Sequence, residues 1–158
     1  MFRVPGFLNE TIQDPIKKPV VLLQHGLEAD ADCWILNSPD VTHAFVLANQ
    51  GFDVWLGNNR GSKYSLSHKT LDPNDKDDKP RFWQFSFEQM GIYDLPAEID
   101  YVLGVTGQEK LSYVGHSEGT TQMFIGASLN QEYFKSKVNL FVALAPITRI
   151  GHVKSSLF

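Results

Sequence analysis

Four short apolar runs, rich in β-branched and aromatic residues, recur along the chain and alternate with segments of helical pattern. Short apolar runs bounded by turn residues are typical of buried strands. The four predicted strands read PVVLLQ from Pro19, FDVWL from Phe52, KLSYVG from Lys110 and VNLFVALA from Val138. Since strands that are apolar on both faces need helices on both sides, this order predicts an α/β fold with a doubly wound, parallel sheet.

Helices are predicted between these strands, over residues 38–50, 86–106 and 118–130. Ser38 is the expected N-cap of the first helix, and Ser86 opens the second with a capping box to Gln89. Pro96 lacks a backbone donor and clashes with the preceding turn of a helix. A break or kink is therefore expected near Leu95.

The connection over residues 57–80 is polar and rich in Gly, Asn, Asp and Pro, which predicts a long surface loop. Its acidic part consists of Asp72, Asp75, Asp77 and Asp78. Their spacing lacks the glycine and the terminal glutamate of an EF-hand, so a solvated loop is favoured over a cation site. No metal site is predicted.

The length of 158 residues suits one domain with a sizeable core. A net charge of −4, with no basic cluster longer than Lys17-Lys18, disfavours nucleic acid as a partner. No apolar stretch approaches the roughly 20 residues of a membrane span, and the N-terminus lacks the pattern of a signal peptide. The single cysteine, Cys33, is expected to fill apolar space, and residues 9–11 form a glycosylation triplet that matters only in a secreted chain.

The segment SYVGHSEGTTQMF, residues 112–124, contains a GxSxG motif centred on Ser117. It lies between a predicted strand that ends at Val114 and a predicted helix that opens at Glu118, which is the context of a nucleophile elbow. Such a turn holds the serine in a strained conformation with its hydroxyl exposed. Gly115 and Gly119 are expected to allow the close packing that this turn requires. A simple tight turn is the alternative for so short a motif.

An acyl-transfer site also needs donors for the negative oxygen that forms on the substrate. The positive end of the following helix makes the Glu118 amide one candidate, and the turn after the first predicted strand makes the Leu27 amide the other. A base is harder to assign, because His25 and His116 lie inside the two turns. In folds with such a nucleophile elbow, an acid and then a histidine follow the nucleophile along the chain. No Asp occurs after Ser117 in this sequence.

Several blocks of the chain occur in the order of a known family: RVPG, PVVLLQHGLEADADCWI, LANQGFDVWLGNNRGSKYS, FWQFSFEQMGIYDLPAEIDYVLGVTGQEKLSYVGHSEGTTQMF and FVALAP. They resemble the acid lipases of the α/β-hydrolase fold, which include gastric lipase and lysosomal acid lipase. The resemblance implies that Ser117 is the nucleophile and that the amides of Leu27 and Glu118 form the oxyanion hole. The family usually carries Gln at the position of Glu118, so this chain brings a carboxyl near that site.

The resemblance also implies that residues 1–158 match only part of the family's domain. Family members continue into a cap and into the last strands, which carry the Asp and His of the triad. Residues 1–158 are therefore expected to form a single truncated domain with the family strand order 4-3-5-6. Neutral-lipid esters are the implied substrates, no metal or organic cofactor is implied, and secretion or a lysosome is the implied compartment.

Three functions are compatible with the sequence. The favoured one is a serine carboxylic-ester hydrolase that forms an acyl-enzyme, with little turnover from the isolated chain because triad members act as a unit. A non-catalytic lipid- or protein-binding module, and a serine peptidase or small-ester hydrolase, are the alternatives. A truncated sheet has unpaired edges, which predicts self-association.

Overall fold

The computed structural model describes residues 1–6 and 18–154. Its strands are β1 (Phe2–Val4), β2 (Val20–Gln24), β3 (Asp53–Leu56), β4 (Leu111–His116) and β5 (Val138–Leu144). Its α-helices are α1 (His43–Asn49), α2 (Lys79–Phe82), α3 (Phe87–Gln89), α4 (Leu95–Thr106), α5 (Glu118–Leu129) and α6 (Gln131–Lys137). None of these helices has the length and hydrophobicity of a membrane span. The glycosylation triplet at residues 9–11 lies outside the described residues.

One five-stranded sheet, ordered β1-β3-β2-β4-β5, runs through the protein. The strand β1 pairs antiparallel with β3, and all other neighbours are parallel. The four predicted strands are confirmed, with ends that differ from prediction by one or two residues at most. The order β3-β2-β4-β5 corresponds to the predicted 4-3-5-6 core. Sequence analysis missed β1 because a three-residue strand is too short to show a period.

Each face of the sheet has its own apolar core. Leu22 of β2 belongs to the core that α4, α5 and α6 cover. Leu23, the next residue, belongs to the core on the opposite face, beneath α1 and a 3-10 turn at Ala31–Trp34. Every residue of β2 is buried, which explains why this run is apolar throughout instead of alternating. The predicted doubly wound α/β architecture is confirmed.

The first predicted helix begins later than expected. The helix α1 starts at His43, and Thr42 rather than Ser38 precedes it. Ser38 instead forms a turn, in which its carbonyl accepts hydrogen bonds from the amides of Val41 and Thr42. The Thr42 hydroxyl also donates to the carbonyls of Asn37 and Ser38, at 2.8 and 2.9 Å. The prediction of Ser38 as N-cap is wrong because the buried Thr42 folds this segment back on itself.

The second predicted helix changes type along its length. Ser86 and Gln89 form the predicted capping box at its start. A π-helical segment, Met90–Asp94, follows and leads into α4. Pro96 lies in the first turn of α4, directly after the π-helical segment, and has no N–H to donate to the carbonyls of that segment. No break occurs at Leu95, because its backbone is helical with φ −62° and ψ −46°; the hydrogen bonding changes there from π-helical to α-helical.

Two predictions about the surface are wrong. Asn58 and Asn59, at the start of the predicted surface loop, are 7% and 2% exposed. They are buried because their backbone amides donate to side chains of neighbouring elements, as described below. Cys33 is exposed and does not fill apolar space, since the 3-10 turn directs Ala31 and Trp34 inward instead.

Replacement of Leu22 by alanine should destabilise the fold strongly. Leu22 is fully buried in the central strand, opposite Trp55 on one side and Tyr113 on the other. We expect a loss of about 2–5 kcal/mol in the free energy of unfolding. The control is Leu36→Ala, because Leu36 is 76% exposed, and its effect should stay within about 0.5 kcal/mol. Urea denaturation measures both, and similar values for the two variants would contradict the assignment of this core.

Candidate active site

Ser117 lies at the sharp turn between β4 and α5, with φ 54° and ψ −116°. A positive φ is strained for a residue other than glycine, at a cost of about 1–3 kcal/mol. Hydrogen bonds on both sides of the residue hold this conformation. The Ser117 amide donates to the Leu144 carbonyl at 2.9 Å, and the Ser117 carbonyl accepts from the amide and hydroxyl of Thr120. The predicted strained turn is therefore present.

The two glycines of the motif lie where any side chain would collide with backbone. A Cβ at Gly115 would come within 2.7 Å of the Gly119 carbonyl carbon and oxygen. A Cβ at Gly119 would come within 2.6 Å of the Gln24 carbonyl oxygen and 2.9 Å of that of His25. Real Cβ atoms do not approach backbone so closely, so both positions require glycine. These contacts pack α5 against the ends of β4 and β2.

The turn after β2 lies directly against the serine. A Cβ at Gly26 would lie 2.9 Å from Ser117 Cβ and 3.4 Å from Ser117 Oγ. Two candidate oxyanion donors flank this contact, the amides of Leu27 and Glu118. Within the described part of the chain, neither amide donates a hydrogen bond to a protein acceptor. The Glu118 amide is free because the first N–H groups of a helix have no partner inside it.

His25 fixes the conformation of that turn. It is 2% exposed, and its Nε2 accepts a hydrogen bond from the Asn59 amide at 3.1 Å. Its proton therefore lies on Nδ1, which donates to the Gly26 carbonyl at 2.8 Å. Because Nε2 accepts a hydrogen bond, the His25 ring is neutral, and burial also lowers its pKa. Because C=O and N–H point in opposite directions across a trans peptide, this bond also fixes the direction of the Leu27 N–H.

A small apolar cavity opens beside Ser117. Its volume is about 90 Å³, and it is lined by Leu27, Phe87, Ser117, Glu118, Thr121, Ile147 and Ile150. A second cavity, of about 210 Å³, lies on the other side of the turn after β2, between that turn and the aromatic side chains of Trp83 and Phe85. Glu118 borders both cavities, and burial raises the pKa of its carboxyl.

Four histidine rings interact with groups other than the Ser117 side chain. His25 supports the turn, while His43 and His116 pack edge-on against Trp34 with ring centroids 5.7 and 6.5 Å away. His68 accepts hydrogen bonds from nearby backbone amides in the long loop. Among the described residues, no histidine forms a hydrogen bond with the Ser117 hydroxyl. The described residues therefore supply a candidate nucleophile and candidate donors without a paired base.

Sequence analysis missed a buried polar cluster beneath this site. Gln24 ends β2, Asn58 and Asn59 follow β3, and Glu98 reaches them from α4; all four residues are buried. Asn58 donates its amide to Glu98 Oε1 at 2.8 Å, and Gln24 Nε2 donates to Asn59 Oδ1 at 2.6 Å. The sequence does contain one signal of this cluster. Gln24, Asn58 and Asn59 lie at the carboxyl ends of adjacent parallel strands, where ligand sites of such sheets lie.

The chain is similar in sequence to a known protein family and to individual lipases. Residues 19–152 match the model of the alpha/beta hydrolase fold. Lipase lipl-3 of Caenorhabditis elegans is 48% identical and gastric triacylglycerol lipase of Rattus norvegicus is 46% identical, each over 157 residues. Each alignment covers 99% of this chain but only 38% of the relative. These similarities confirm the resemblance to lipases.

A solved structure of a Sulfolobus solfataricus protein has the same fold. It aligns with a TM-score of 0.62 at 17% sequence identity, over 88% of this chain and 40% of that chain. At this identity the likeness concerns the arrangement of strands and helices alone.

Substitution of Gly119 by alanine should destabilise the protein, because the new methyl group would meet two backbone carbonyls that cannot move aside. We expect a loss of about 1–3 kcal/mol, as for other overpacked sites. Gly104→Ala is the matched control, since Gly104 lies in α4 with nothing within 4 Å of an added Cβ. That change should stabilise the protein by about 0.5–1 kcal/mol. Thermal unfolding of the two variants tests the contrast, and equal stability would contradict the close contact.

Proposed function

Because the chain belongs to the α/β-hydrolase fold family, we propose that it forms the nucleophile and oxyanion-binding part of a serine ester hydrolase of the lipase type. One observation carries the proposal. Ser117, in its strained turn, contacts the turn that precedes Leu27 at the edge of an apolar cavity, and the amides of Leu27 and Glu118 donate to no acceptor among the described residues.

The proposed reaction proceeds through an acyl-enzyme. Ser117 Oγ attacks the ester carbonyl carbon and loses its proton to a base, and the carbonyl oxygen becomes an oxyanion. The amides of Leu27 and Glu118 donate hydrogen bonds to that oxyanion, and loss of one such donor typically lowers the rate about 10²–10³-fold. The tetrahedral intermediate then expels the alcohol, and water releases the fatty acid from Ser117.

Neutral-lipid esters, such as triacylglycerols or steryl esters, are the proposed substrates. The cavity beside Ser117 is lined mainly by Leu27, Phe87, Ile147 and Ile150, which suits an apolar acyl chain. The rat relative is named a gastric triacylglycerol lipase, which supports the same substrate class. Secretion or a lysosome is the proposed compartment, on the resemblance to gastric and lysosomal lipases.

The base and its acidic partner are proposed to lie outside the described residues. This follows from the surroundings of the histidines, none of which is hydrogen-bonded to Ser117 within those residues. The chain spans 38% of the length of the curated relatives that it matches. We therefore expect the 158-residue chain on its own to have little or no turnover, because a nucleophile without its base loses most of its activity.

The same observation supports a second candidate, a module that binds lipid or protein without hydrolysis. Such a module would retain the apolar cavity and bind fatty esters, while substitution of Ser117 would leave binding unchanged. The first proposal instead requires Ser117 for turnover once a complete triad is present.

A chimera tests the first proposal. Residues 1–158 replace the matching segment of the rat gastric lipase, which then contributes the remainder of the domain. We expect this chimera to hydrolyse triacylglycerol, and Ser117→Ala should lower the rate about 10⁴-fold or more, because triad members act as a unit. Ser128→Ala, on the exposed side of α5, is the control and should leave the rate unchanged. A folded chimera whose rate does not depend on Ser117 would contradict the proposal, and one that binds esters without hydrolysis would favour the second candidate.

The free edge of the sheet is the proposed contact for self-association. Within the described residues, β5 is a terminal strand with β4 as its one neighbour. Its Leu140 and Val142 are 55% and 36% exposed, beside an apolar groove that includes Phe124 and Phe141. Unpaired, apolar strand edges favour pairing with another chain.

Leu140→Lys should therefore shift the 158-residue chain toward the monomer, because a charge on an edge strand opposes strand pairing. Leu36→Lys, at an exposed position away from the sheet edge, serves as the control and should leave association unchanged. Sedimentation velocity over a range of concentrations measures the effect. A wild-type chain that stays monomeric throughout would rule out this contact.

A further inference from the structure

The carboxyl group of Glu98 is buried in the protein with one oxygen satisfied and the other unpaired. Glu98 projects from α4 and is 8% exposed. Its Oε1 accepts a hydrogen bond from the Asn58 amide at 2.8 Å. Among the residues that the structure describes, no donor reaches its Oε2. Buried polar atoms are almost always hydrogen-bonded, so this oxygen calls for an explanation.

Gln24 presents a second unpaired oxygen to the same space. Its Nε2 donates to Asn59 Oδ1, while no described donor reaches its Oε1. Gly57 shows where the two oxygens converge: a Cβ at this position would overlap Gln24 Oε1 and would lie 2.8 Å from Glu98 Oε2. Both buried acceptors therefore border the same space, which Gly57 leaves open.

Two such acceptors repel unless a proton lies between them. An ionised carboxylate can only accept hydrogen bonds, whereas a protonated one has an O–H to donate. We propose that Glu98 is kept as a neutral carboxylic acid whose Oε2–H donates to Gln24 Oε1. This single proton gives both unpaired oxygens a partner and leaves the bond from the Asn58 amide to Oε1 intact.

The charges around Glu98 agree with a neutral acid. Burial raises the pKa of Glu98 to about 7, a rise that the Asn58 hydrogen bond and the N-terminal amine reduce and that the negative charge of Asp94 increases. Asp94 itself is paired with Arg60 at 2.6 Å. From β4, the buried Tyr113 hydroxyl faces the same region, with its own pKa raised by burial and by Glu98. The nearby ring of His25 is neutral and adds no charge.

The pair lies at the base of a relay that reaches the turn beside Ser117. Gln24 donates to the Asn59 side chain, the Asn59 amide donates to His25, and His25 donates to the Gly26 carbonyl. Glu98 is thus a positioning residue for the turn after β2, which carries the Leu27 amide, and this role rests on the proposed function. The protonation of Glu98 does not rest on it and is tested without any enzymatic assay.

The pH dependence of stability tests the proposal on the 158-residue chain. An acid whose pKa is raised by folding stabilises the native state below its unfolded pKa of 4.5, and this stabilisation is lost as the pH rises to about 7. The folding equilibrium constant should fall by roughly a hundredfold over this window on account of Glu98. Glu98→Gln should remove that part of the fall, because its amide N–H donates to Gln24 at every pH. Glu109→Gln, at an exposed position, is the matched control and should retain the wild-type profile.

Two local readouts accompany the denaturation series. At pH 6 the wild-type chain should show one infrared band of a protonated carboxyl that Glu98→Gln lacks. Hydrogen exchange of the Asn59 amide, which donates to His25, should become faster in the wild-type chain between pH 6 and 8, after correction for intrinsic exchange, and should stay constant in Glu98→Gln.

An ionised Glu98 gives the opposite set of results. If the side-chain amides of Gln24 and Asn59 were turned over, Gln24 Nε2 would donate to the carboxylate. The wild-type stability would then not fall relative to that of Glu98→Gln as the pH rises, and no carboxyl band would be lost. That outcome overturns the proposal and leaves the proposed role of Ser117 unaffected.

Discussion

The positive φ of Ser117 is the constraint on which the rest of the site depends. A serine adopts φ 54° only where its surroundings outweigh the strain. Here the Leu144 carbonyl holds its amide, and the amide and hydroxyl of Thr120 hold its carbonyl. The three groups belong to β5 and α5, so the turn is locked only when sheet and helix are assembled around it.

Close backbone approach at this turn brings two distant segments together. Gly26, Gly115 and Gly119 each lie where an added Cβ would meet backbone or the serine itself. The parallel pairing of β2 with β4 ends near Gln24 and Gly115 and aligns the carboxyl ends of the two strands. The turn after β2 therefore comes to rest beside Ser117, with the amide of Leu27 oriented through the bond between His25 and Gly26.

Beneath this arrangement lies a polar layer that is unusual for the centre of a sheet. Gln24, Asn59 and Glu98 occupy positions where apolar side chains would pack without hydrogen-bond requirements. Their hydrogen bonds connect α4 and the segment after β3 to the turn beside Ser117. The layer couples the protonation of a buried carboxyl to the backbone that the proposed chemistry needs, and it does so across three separate elements of the fold.

The sequence by itself determined the four parallel strands, the helices between them and the elbow at Ser117, because these features follow from local pattern. The apolar run of β2 and the GxSxG turn between strand and helix can each be recognised from about a dozen neighbouring residues. The sequence also indicated Leu27 and Glu118 as candidate donors, since Glu118 opens the helix after the motif and Leu27 lies in the turn after an earlier strand. The start of α1, the burial of Asn58 and the exposure of Cys33 were decided by contacts with residues distant in the chain. Only the tertiary structure brought Glu98 to Gln24. A glutamate in a helical pattern predicts an exposed side chain, and its burial follows from the packing of distant segments.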